Sequence, residues 1–115
     1  MKKRVLVVDD DSLFRKFLLR GLERLGWNVV EAENGEEGLE KLREGGFDAV
    51  ISDLNMPGKI SGLELLIQAR NQNVPRLILI TADSLSPEEM SILSIHGISL
   101  LEKPFTFQQL LYLIP

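Results

Sequence analysis

The sequence has no cysteine and a single histidine, His96. The absence of cysteine excludes a disulfide scaffold, a thiol nucleophile, a cysteine-based zinc site and an iron–sulfur cluster. A single histidine likewise excludes a two-histidine metal motif and a relay of histidines. His96 precedes Gly97 at the predicted end of a helix, where a partly charged imidazole suits the helix dipole, so we assign it no catalytic role. A metal ion bound by this protein would therefore be held by oxygen ligands.

The sequence also lacks a long apolar run and an excess of basic residues. No segment approaches the ~18 apolar residues that span a bilayer. The basic start, Met1 to Arg4, is followed by an apolar run too short for the core of a signal peptide. The net charge of −4 and the pI of about 5.0 are opposite to the balance typical of nucleic-acid binders. We expect a cytoplasmic, soluble protein with no direct nucleic-acid binding and no membrane insertion.

The composition that is present is that of one globular domain. The chain has 115 residues, of which 44% are hydrophobic and 26% are charged, and these are ordinary values for a folded domain. No internal repeat, low-complexity tract or linker divides the sequence. Residues 1–115 are therefore predicted to form a single domain.

Short apolar runs alternate with longer amphipathic segments along the chain. The runs at 5–8, 49–51 and 77–80 are continuous, which is typical of strands buried on both faces of a parallel sheet, and 27–30 and 98–101 are weaker versions of the same pattern. Apolar residues at helical spacing predict helices over 13–25 and 62–70. Capping-box patterns predict further helices that begin at Asn34, Ser86 and Thr106, the first of them ending at Gly45 and Gly46. Five strands alternating with five helices predict an α/β fold, a doubly wound parallel sheet covered on both faces.

Polar side chains follow four of the predicted strands at the point where each strand ends. Ligands of such a sheet bind outside the carboxyl ends of its strands, so these residues should meet at one edge. They are Asp9, Asp10 and Asp11 after the first strand, Asp53 after the third, Thr81 after the fourth and Lys103 after the fifth. Carboxylates in one cleft repel each other unless a cation joins them, and an all-oxygen ligand set favours Mg²⁺, with Mn²⁺ as a possible substitute.

A metal ion, an ammonium group and a hydroxyl around one aspartate form a site for phosphoryl transfer to that carboxylate. Each residue also has a plainer interpretation. Asp11 or Ser12 fits the N-cap of the first helix, and Asp53 fits a turn residue. Thr81 alone fits a strand end, and Lys103 alone fits a solvated lysine. Any one of these residues could fall at a strand end by chance, but chance is a much poorer explanation for all four together.

Four segments together resemble the receiver domain of two-component response regulators, and the chemotaxis regulators in particular. They are VLVVDDD at 5–11, ISDLNMPG at 51–58, ITA at 80–82 and LEKPF at 101–105, in matching order and spacing. The resemblance covers essentially the whole chain. It implies a flavodoxin-like (βα)5 fold with a five-stranded parallel sheet in the order 2-1-3-4-5.

The resemblance also implies a role for each site residue. Asp53 would accept the phosphoryl group from a phosphohistidine on a histidine kinase or histidine phosphotransfer protein. The metal ligands would be Asp10, Asp53 and the backbone carbonyl of Asn55, with Asp9 holding the metal through water. Lys103 would contact the phosphoryl group, and Thr81 would be the switch hydroxyl. Asn55 and Asp83 would tune hydrolysis of the acyl phosphate, and the Lys103–Pro104 peptide bond would be cis. Phosphorylation would then change binding to an output partner that the sequence does not name.

Two positions depart from the pattern of the family. Leu100 lies where the family usually has the tyrosine or phenylalanine that turns inward with the switch hydroxyl, so the usual coupled switch does not apply as it stands. The turn from Met56 to Gly62 is one residue longer than the common form, and it resembles the turn of receivers attached to hybrid kinases.

Two other functions compete with a phosphoacceptor. A degenerate receiver would be a binding module that does not respond to phosphorylation; Leu100 favours it weakly, and the complete set of site residues argues against it. A magnesium-dependent phosphatase with an aspartate nucleophile would need a second acid at the place of Asn55, so that chemistry lacks its proton donor. We therefore expect a regulatory phosphoacceptor rather than an enzyme.

A basic stripe on the first helix, formed by Lys16, Arg20 and Arg24, is either a solvated face or a contact for an acidic kinase partner.

Overall fold

Five parallel strands form one sheet in the computed structural model, which describes residues 2–114. The strands are β1 (Arg4–Val8), β2 (Asn28–Ala32), β3 (Ala49–Asp53), β4 (Arg76–Thr81) and β5 (Ser99–Glu102). The helices are α1 (Ser12–Arg24), α2 (Gly35–Leu42), α3 (Gly62–Asn71), α4 (Pro87–His96) and α5 (Phe107–Leu113). The strand order is β2-β1-β3-β4-β5, and every neighbouring pair is parallel. The predicted fold class and strand order are confirmed.

The sheet separates two apolar clusters, one on each face. Along β1, Leu6 and Val8 belong to the cluster that packs under α2, α3 and α4, whereas Val5 and Val7 belong to the cluster under α1 and α5. All four side chains are at most 1% exposed. Successive side chains of a strand point to opposite faces, so a strand covered on both sides must be apolar at every position. This requirement explains the continuous apolar runs in the sequence.

The helix caps place most helix starts where the sequence predicts them. Asp11, rather than Ser12, caps α1 by accepting hydrogen bonds from the backbone N–H groups of Leu13 and Phe14. Both halves of a capping box are present at Ser86 and at Thr106, as predicted. Asn34 accepts only from the Glu37 N–H, so the capping box expected there is reduced to a single N-cap bond.

Several element boundaries differ from the prediction, among them the start of β2 and the end of α2. The second strand begins at Asn28 rather than at Trp27, because the Trp27 N–H still bonds to the carbonyl of Leu22 at the end of α1. Helix α2 ends at Leu42, before the two glycines expected to stop it. The N-cap of α3 is Ser61, whose hydroxyl accepts from the Glu64 N–H; it lies just before the helix predicted over 62–70.

Candidate functional site

The polar residues predicted to meet do meet at one edge of the sheet. Asp53 is the last residue of β3 and Thr81 is the last residue of β4. Asp9 directly follows β1, and Lys103 directly follows β5. These four strands are adjacent in the sheet, and because they are parallel, all of their carboxyl ends lie at the same edge.

Three carboxylates form the centre of the site. Asp9, Asp10 and Asp53 each offer one oxygen, and these oxygens lie within 4.8 Å of one another. Asp9 is buried, Asp53 is half-buried and Asp10 is exposed. The cluster is therefore open to solvent on the side of Asp10, whereas the carboxylates of Asp9 and Asp53 lie mostly inside the protein.

Burial raises the pKa of both inner carboxyl groups above the ordinary value of 3.8. For Asp9, the charges of Asp53 and Asp10 raise the pKa further, whereas the Asp11 N–H and the Lys103 ammonium oppose the rise. For Asp53, the Lys103 ammonium and the Leu54 N–H oppose the rise caused by burial and by Asp10. Neighbouring protein groups thus compensate the buried negative charge only in part.

One buried carboxylate oxygen in the cluster has an unmet requirement for a hydrogen bond or a cation within the described residues. Oδ1 of Asp9 accepts a hydrogen bond of 2.9 Å from the Asp11 N–H, but within residues 2–114 the buried Oδ2 has no hydrogen-bond partner. An unpaired buried carboxylate oxygen is costly. A hard divalent cation bound by carboxylate oxygens would meet this requirement, so the donor set fits Mg²⁺ or a similar ion.

Lys103 supplies the positive charge beside the carboxylates. Its Nζ lies 3.6 Å from Oδ2 of Asp53 and 3.8 Å from Oδ2 of Asp9. Its backbone N–H donates to the Thr81 carbonyl at 2.9 Å, which ties the start of the β5–α5 loop to the end of β4. The peptide bond from Lys103 to Pro104 is cis.

The hydroxyl predicted to switch is buried at the end of β4. Thr81 is 1% exposed, and its Oγ1 accepts a hydrogen bond of 3.0 Å from the Asp83 N–H. The Asp83 carboxylate accepts in turn from the side-chain amide of Asn55 at 2.6 Å. This bond joins the loop after β3 to the loop after β4, so the two residues expected to tune hydrolysis contact each other directly.

The turn after Asp53 is fixed by a glycine and by a carboxylate. Gly62 lies so close to the backbone of Asp53 that a Cβ atom at this position would overlap the Asp53 carbonyl. The Glu36 carboxylate accepts from the Ile60 N–H at 3.2 Å and from the Lys59 N–H at 3.5 Å. These contacts hold the long turn against the start of α2.

Leu100, at the position of the expected aromatic switch, lies in β5 and packs partly buried against the cluster under α2, α3 and α4. It has no polar atom that could follow a movement of Thr81. Leu100 therefore cannot respond to Thr81 through the rotation of an aromatic ring.

Two residues near the site were not singled out from the sequence. Arg15 is 8% exposed and donates to the backbone carbonyl of Asp9 at 2.6 Å and to the Glu31 carboxylate at 3.0 Å. Phe14 has its ring centroid 4.5 Å from the Lys103 Nζ. Arg15 carries a detectable sequence signal, because it falls at helical spacing with the buried Leu18 and Leu22, where a charged residue is unusual. Phe14 carries no such sequence signal, because its contact with Lys103 depends on how α1 packs against the rest of the protein.

The fold and the acidic, lysine-containing edge define a metal-binding type of α/β domain, and comparison with known proteins identifies its family. Residues 5–114 match the response regulator receiver domain. The chain belongs to this family, as the four sequence segments indicate.

Individual relatives agree with this assignment. The chain is 38% identical over 113 residues to the response regulator MprA of Mycolicibacterium vanbaalenii, covering 96% of this chain and 48% of that protein. It is 35% identical over 112 residues to an uncharacterized transcriptional regulatory protein, YkoG, of Bacillus subtilis, again covering 96% of this chain and 48% of the relative. The chain thus spans about half the length of the curated relatives it matches.

A solved structure provides a comparison of the fold, in a protein that holds a metal ion. The response regulator TrrA of Thermotoga maritima, in complex with Mg²⁺ and beryllium fluoride, superposes with a TM-score of 0.83 at 39% identity, covering 97% of this chain and 96% of that one. A divalent metal ion is therefore bound by a receiver of the same fold, and the acidic cluster of this chain supports metal binding here. Within residues 2–114, no helix is long and apolar enough to span a membrane.

Proposed function

We propose that this receiver domain takes a phosphoryl group onto Asp53 and thereby changes its affinity for an output partner. The observation that carries the proposal is the convergence of Asp9, Asp10 and Asp53 with the Lys103 ammonium at one edge of the sheet. A carboxylate beside a cation site and an ammonium is equipped to attack a phosphoryl group and to hold the charge that develops.

The proposed reaction transfers one phosphoryl group between two nucleophiles. A carboxylate oxygen of Asp53 attacks phosphorus as the bond from phosphorus to the donor's histidine nitrogen breaks, and the leaving imidazole keeps the electron pair. Asp10, Asp53 and the backbone carbonyl of Asn55 would hold Mg²⁺, or Mn²⁺ in its place, with Asp9 acting through water. When bound, this ion neutralises the charge of the carboxylates and the phosphoryl oxygens.

Two side chains of the site would then bind the product. The Lys103 ammonium, 3.6 Å from Asp53, is within a small movement of a phosphoryl oxygen on that residue. The Thr81 hydroxyl would donate a hydrogen bond to the phosphoryl group and give up its present contact with the Asp83 N–H. That exchange shifts the loop after β4, and the fourth helix, fifth strand and fifth helix would carry the change to a partner. Leu100 packs without a polar anchor, so this coupling would proceed without an aromatic rotation.

The proposed phosphodonor is a histidine kinase or a histidine phosphotransfer protein, working in the cytoplasm. A groove between α1 and α5 supports a docking face for it. Leu13 is 80% exposed and Phe17 is 49% exposed, and Lys16, Arg20 and Arg24 line the same groove. Exposed apolar groups bordered by basic ones suit a partner with an acidic, partly apolar surface.

The test is the intact mass of the protein after incubation with phosphoramidate and Mg²⁺. The proposal predicts a single phosphoryl adduct that forms only with Mg²⁺ and is absent from Asp53→Asn. Absence of an adduct, under conditions that label a proven receiver, would favour a phosphorylation-independent binding module. The proposal also includes the absence of enzymatic turnover. Steady hydrolysis of an aryl phosphate, lost in Asp53→Asn, would instead identify a phosphatase.

A further inference from the structure

The position of the Lys103 ammonium is not fixed by its carboxylate neighbours alone. Its distances of 3.6 Å to Asp53 and 3.8 Å to Asp9 both exceed the roughly 3.2 Å limit of a good N–H···O hydrogen bond. The side chain is 26% exposed, and a lysine has a long flexible stem that gains freedom by extending into water. A further contact would therefore help to keep the ammonium at the site.

The ring of Phe14 provides this contact. The Lys103 Nζ lies 4.5 Å from the ring centroid, within the roughly 6 Å range over which a cation is attracted to an aromatic ring. The ammonium is thus held between the carboxylates of Asp9 and Asp53 and the ring of Phe14. Unlike an additional carboxylate, the ring attracts the cation without adding negative charge to a cluster that must receive a phosphoryl group.

Phe14 is itself held in place from several directions. Its backbone N–H is bonded to the capping carboxylate of Asp11, so the ring is anchored in the first turn of α1. The Phe105 ring meets it edge-on, with centroids 5.7 Å apart and planes at 89°, and the Phe17 ring lies 6.2 Å away on the same helix. The ring also packs against the buried cluster under α1 and α5. A ring held this way can restrict a flexible neighbour.

We propose that Phe14 is a positioning residue for Lys103, which holds the ammonium beside Asp53 before the phosphoryl group arrives. The inference rests on the proposed function and adds to it a residue that touches neither the metal ion nor the phosphoryl group. The ring limits the orientations of the lysine stem, so less conformational freedom is lost when the ammonium binds a phosphoryl oxygen.

The first test examines the contact in the unphosphorylated protein by NMR. Protons above an aromatic ring face are shifted upfield, so the Cε protons of Lys103 should show an upfield shift that disappears in Phe14→Leu and persists in Phe14→Tyr. Unshifted Lys103 protons in the wild-type protein would overturn the proposal. This result does not depend on whether the protein accepts a phosphoryl group.

The second test compares rate constants for phosphorylation by phosphoramidate with Mg²⁺. Phe14→Leu and Phe14→Met keep apolar bulk without the ring, and each should lower the rate constant about three- to tenfold, as expected for loss of a partly exposed cation–π contact. Phe14→Tyr should stay within about twofold of wild type. Phe47→Leu is the matched control, because it removes an aromatic ring 4.4 Å from Arg4, outside the site.

Two results of the second test would overturn the proposal. One is equal rate constants for Phe14→Leu and wild type, and the other is a Phe14→Tyr protein as slow as Phe14→Leu. The Mg²⁺ affinity of Phe14→Leu, measured without a phosphodonor, distinguishes a displaced Lys103 ammonium from a distorted metal site. A displaced ammonium leaves this affinity unchanged or higher, whereas a disturbed Asp9–Asp11 turn lowers it and would assign Phe14 a purely structural role. A wild-type protein that forms no adduct would contradict the proposed function, while the Lys103 proton shifts would still decide the contact.

Discussion

At the scale of single residues, the site holds three carboxylates close together against their mutual repulsion. Burial raises the pKa of Asp9 and Asp53, and the neighbouring negative charges add to the rise. A raised pKa means that the folded state binds the proton more tightly than the unfolded state does. The metal-free protein should therefore lose stability as the pH increases from 3.8 through the raised pKa values.

Asp9→Asn should accordingly stabilise the metal-free protein at neutral pH. Removal of a buried charge and of its repulsion with Asp53 is expected to increase the free energy of unfolding by about 1 kcal/mol. The gain should shrink as the pH falls through the raised folded-state pKa and vanish below 3.8, where the Asp9 carboxyl becomes protonated in the unfolded state as well. Urea unfolding at pH 7.5 and pH 4.5 checks this, with Glu40→Gln on the exposed face of α2 as the control. A gain that does not change with pH would contradict the electrostatic explanation.

The Asn55–Asp83 hydrogen bond leads to a kinetic prediction. The bond, 2.6 Å long, joins the loop after β3 to the loop after β4 beside Asp53, and we expect it to limit the approach of water to an acyl phosphate there. Asp83→Ala should therefore speed hydrolysis of the acyl phosphate about two- to fivefold, the effect expected from one exposed hydrogen bond. The decay of the phosphorylated mass after donor removal measures this rate, with Ser84→Ala in the same exposed loop as the control. An unchanged lifetime would show that the bond does not shield the site.

At the scale of elements, the contact between α1 and α5 depends on the absence of one side chain. A Cβ atom at Gly21 would lie 2.5 Å from the Phe107 ring, which packs edge-on against Phe17 with centroids 6.0 Å apart. Glycine in the interior of a helix is intrinsically unfavourable by about 1 kcal/mol relative to alanine. The close packing of two helices is the physical reason for its presence here.

Gly21→Ala should therefore destabilise the protein in spite of its better helix propensity. The overlap forces the partly buried Phe107 ring, or α5 that carries it, to move, at a typical cost of about 1–3 kcal/mol that exceeds the gain in propensity. Ser94→Ala, at an exposed position in the interior of α4, is the matched control and should be neutral or slightly stabilising. Urea midpoints compare the two variants. A Gly21→Ala protein more stable than wild type would mean that the Phe107 ring moves aside without cost.

At the scale of the whole molecule, metal binding should appear as increased stability. An ion that binds only the folded state adds RT ln(1 + [L]/Kd), which is about 1.4 kcal/mol at ten times the dissociation constant. Mg²⁺ should thus raise the thermal midpoint in a concentration-dependent and EDTA-reversible way, and Asp10→Asn should abolish the response. Glu40→Gln should respond as wild type does. An equal response of Asp10→Asn and wild type would show that the ion binds elsewhere.

Most of the fold could be predicted from the sequence, because the two-sided burial of a parallel strand leaves a local signature. The run from Val5 to Val8 has this form, and the boxes at Ser86 and Thr106 mark helix starts by local bonds. Predicted boundaries differ from the structure where a neighbouring element binds a backbone group, as the end of α1 binds the N–H of Trp27. The placement of Asp53, Thr81 and Lys103 at one edge follows from strand direction alone.

The sequence by itself determined the fold class, the strand order implied by the resemblance, and the identity of the acidic and basic groups at the site. Only the tertiary structure decided which of these groups touch. The contacts of Lys103 with Phe14 and of Asn55 with Asp83 join elements far apart in sequence. Local propensity and periodicity report the burial of one residue at a time, whereas such contacts depend on how whole helices and loops pack against the sheet.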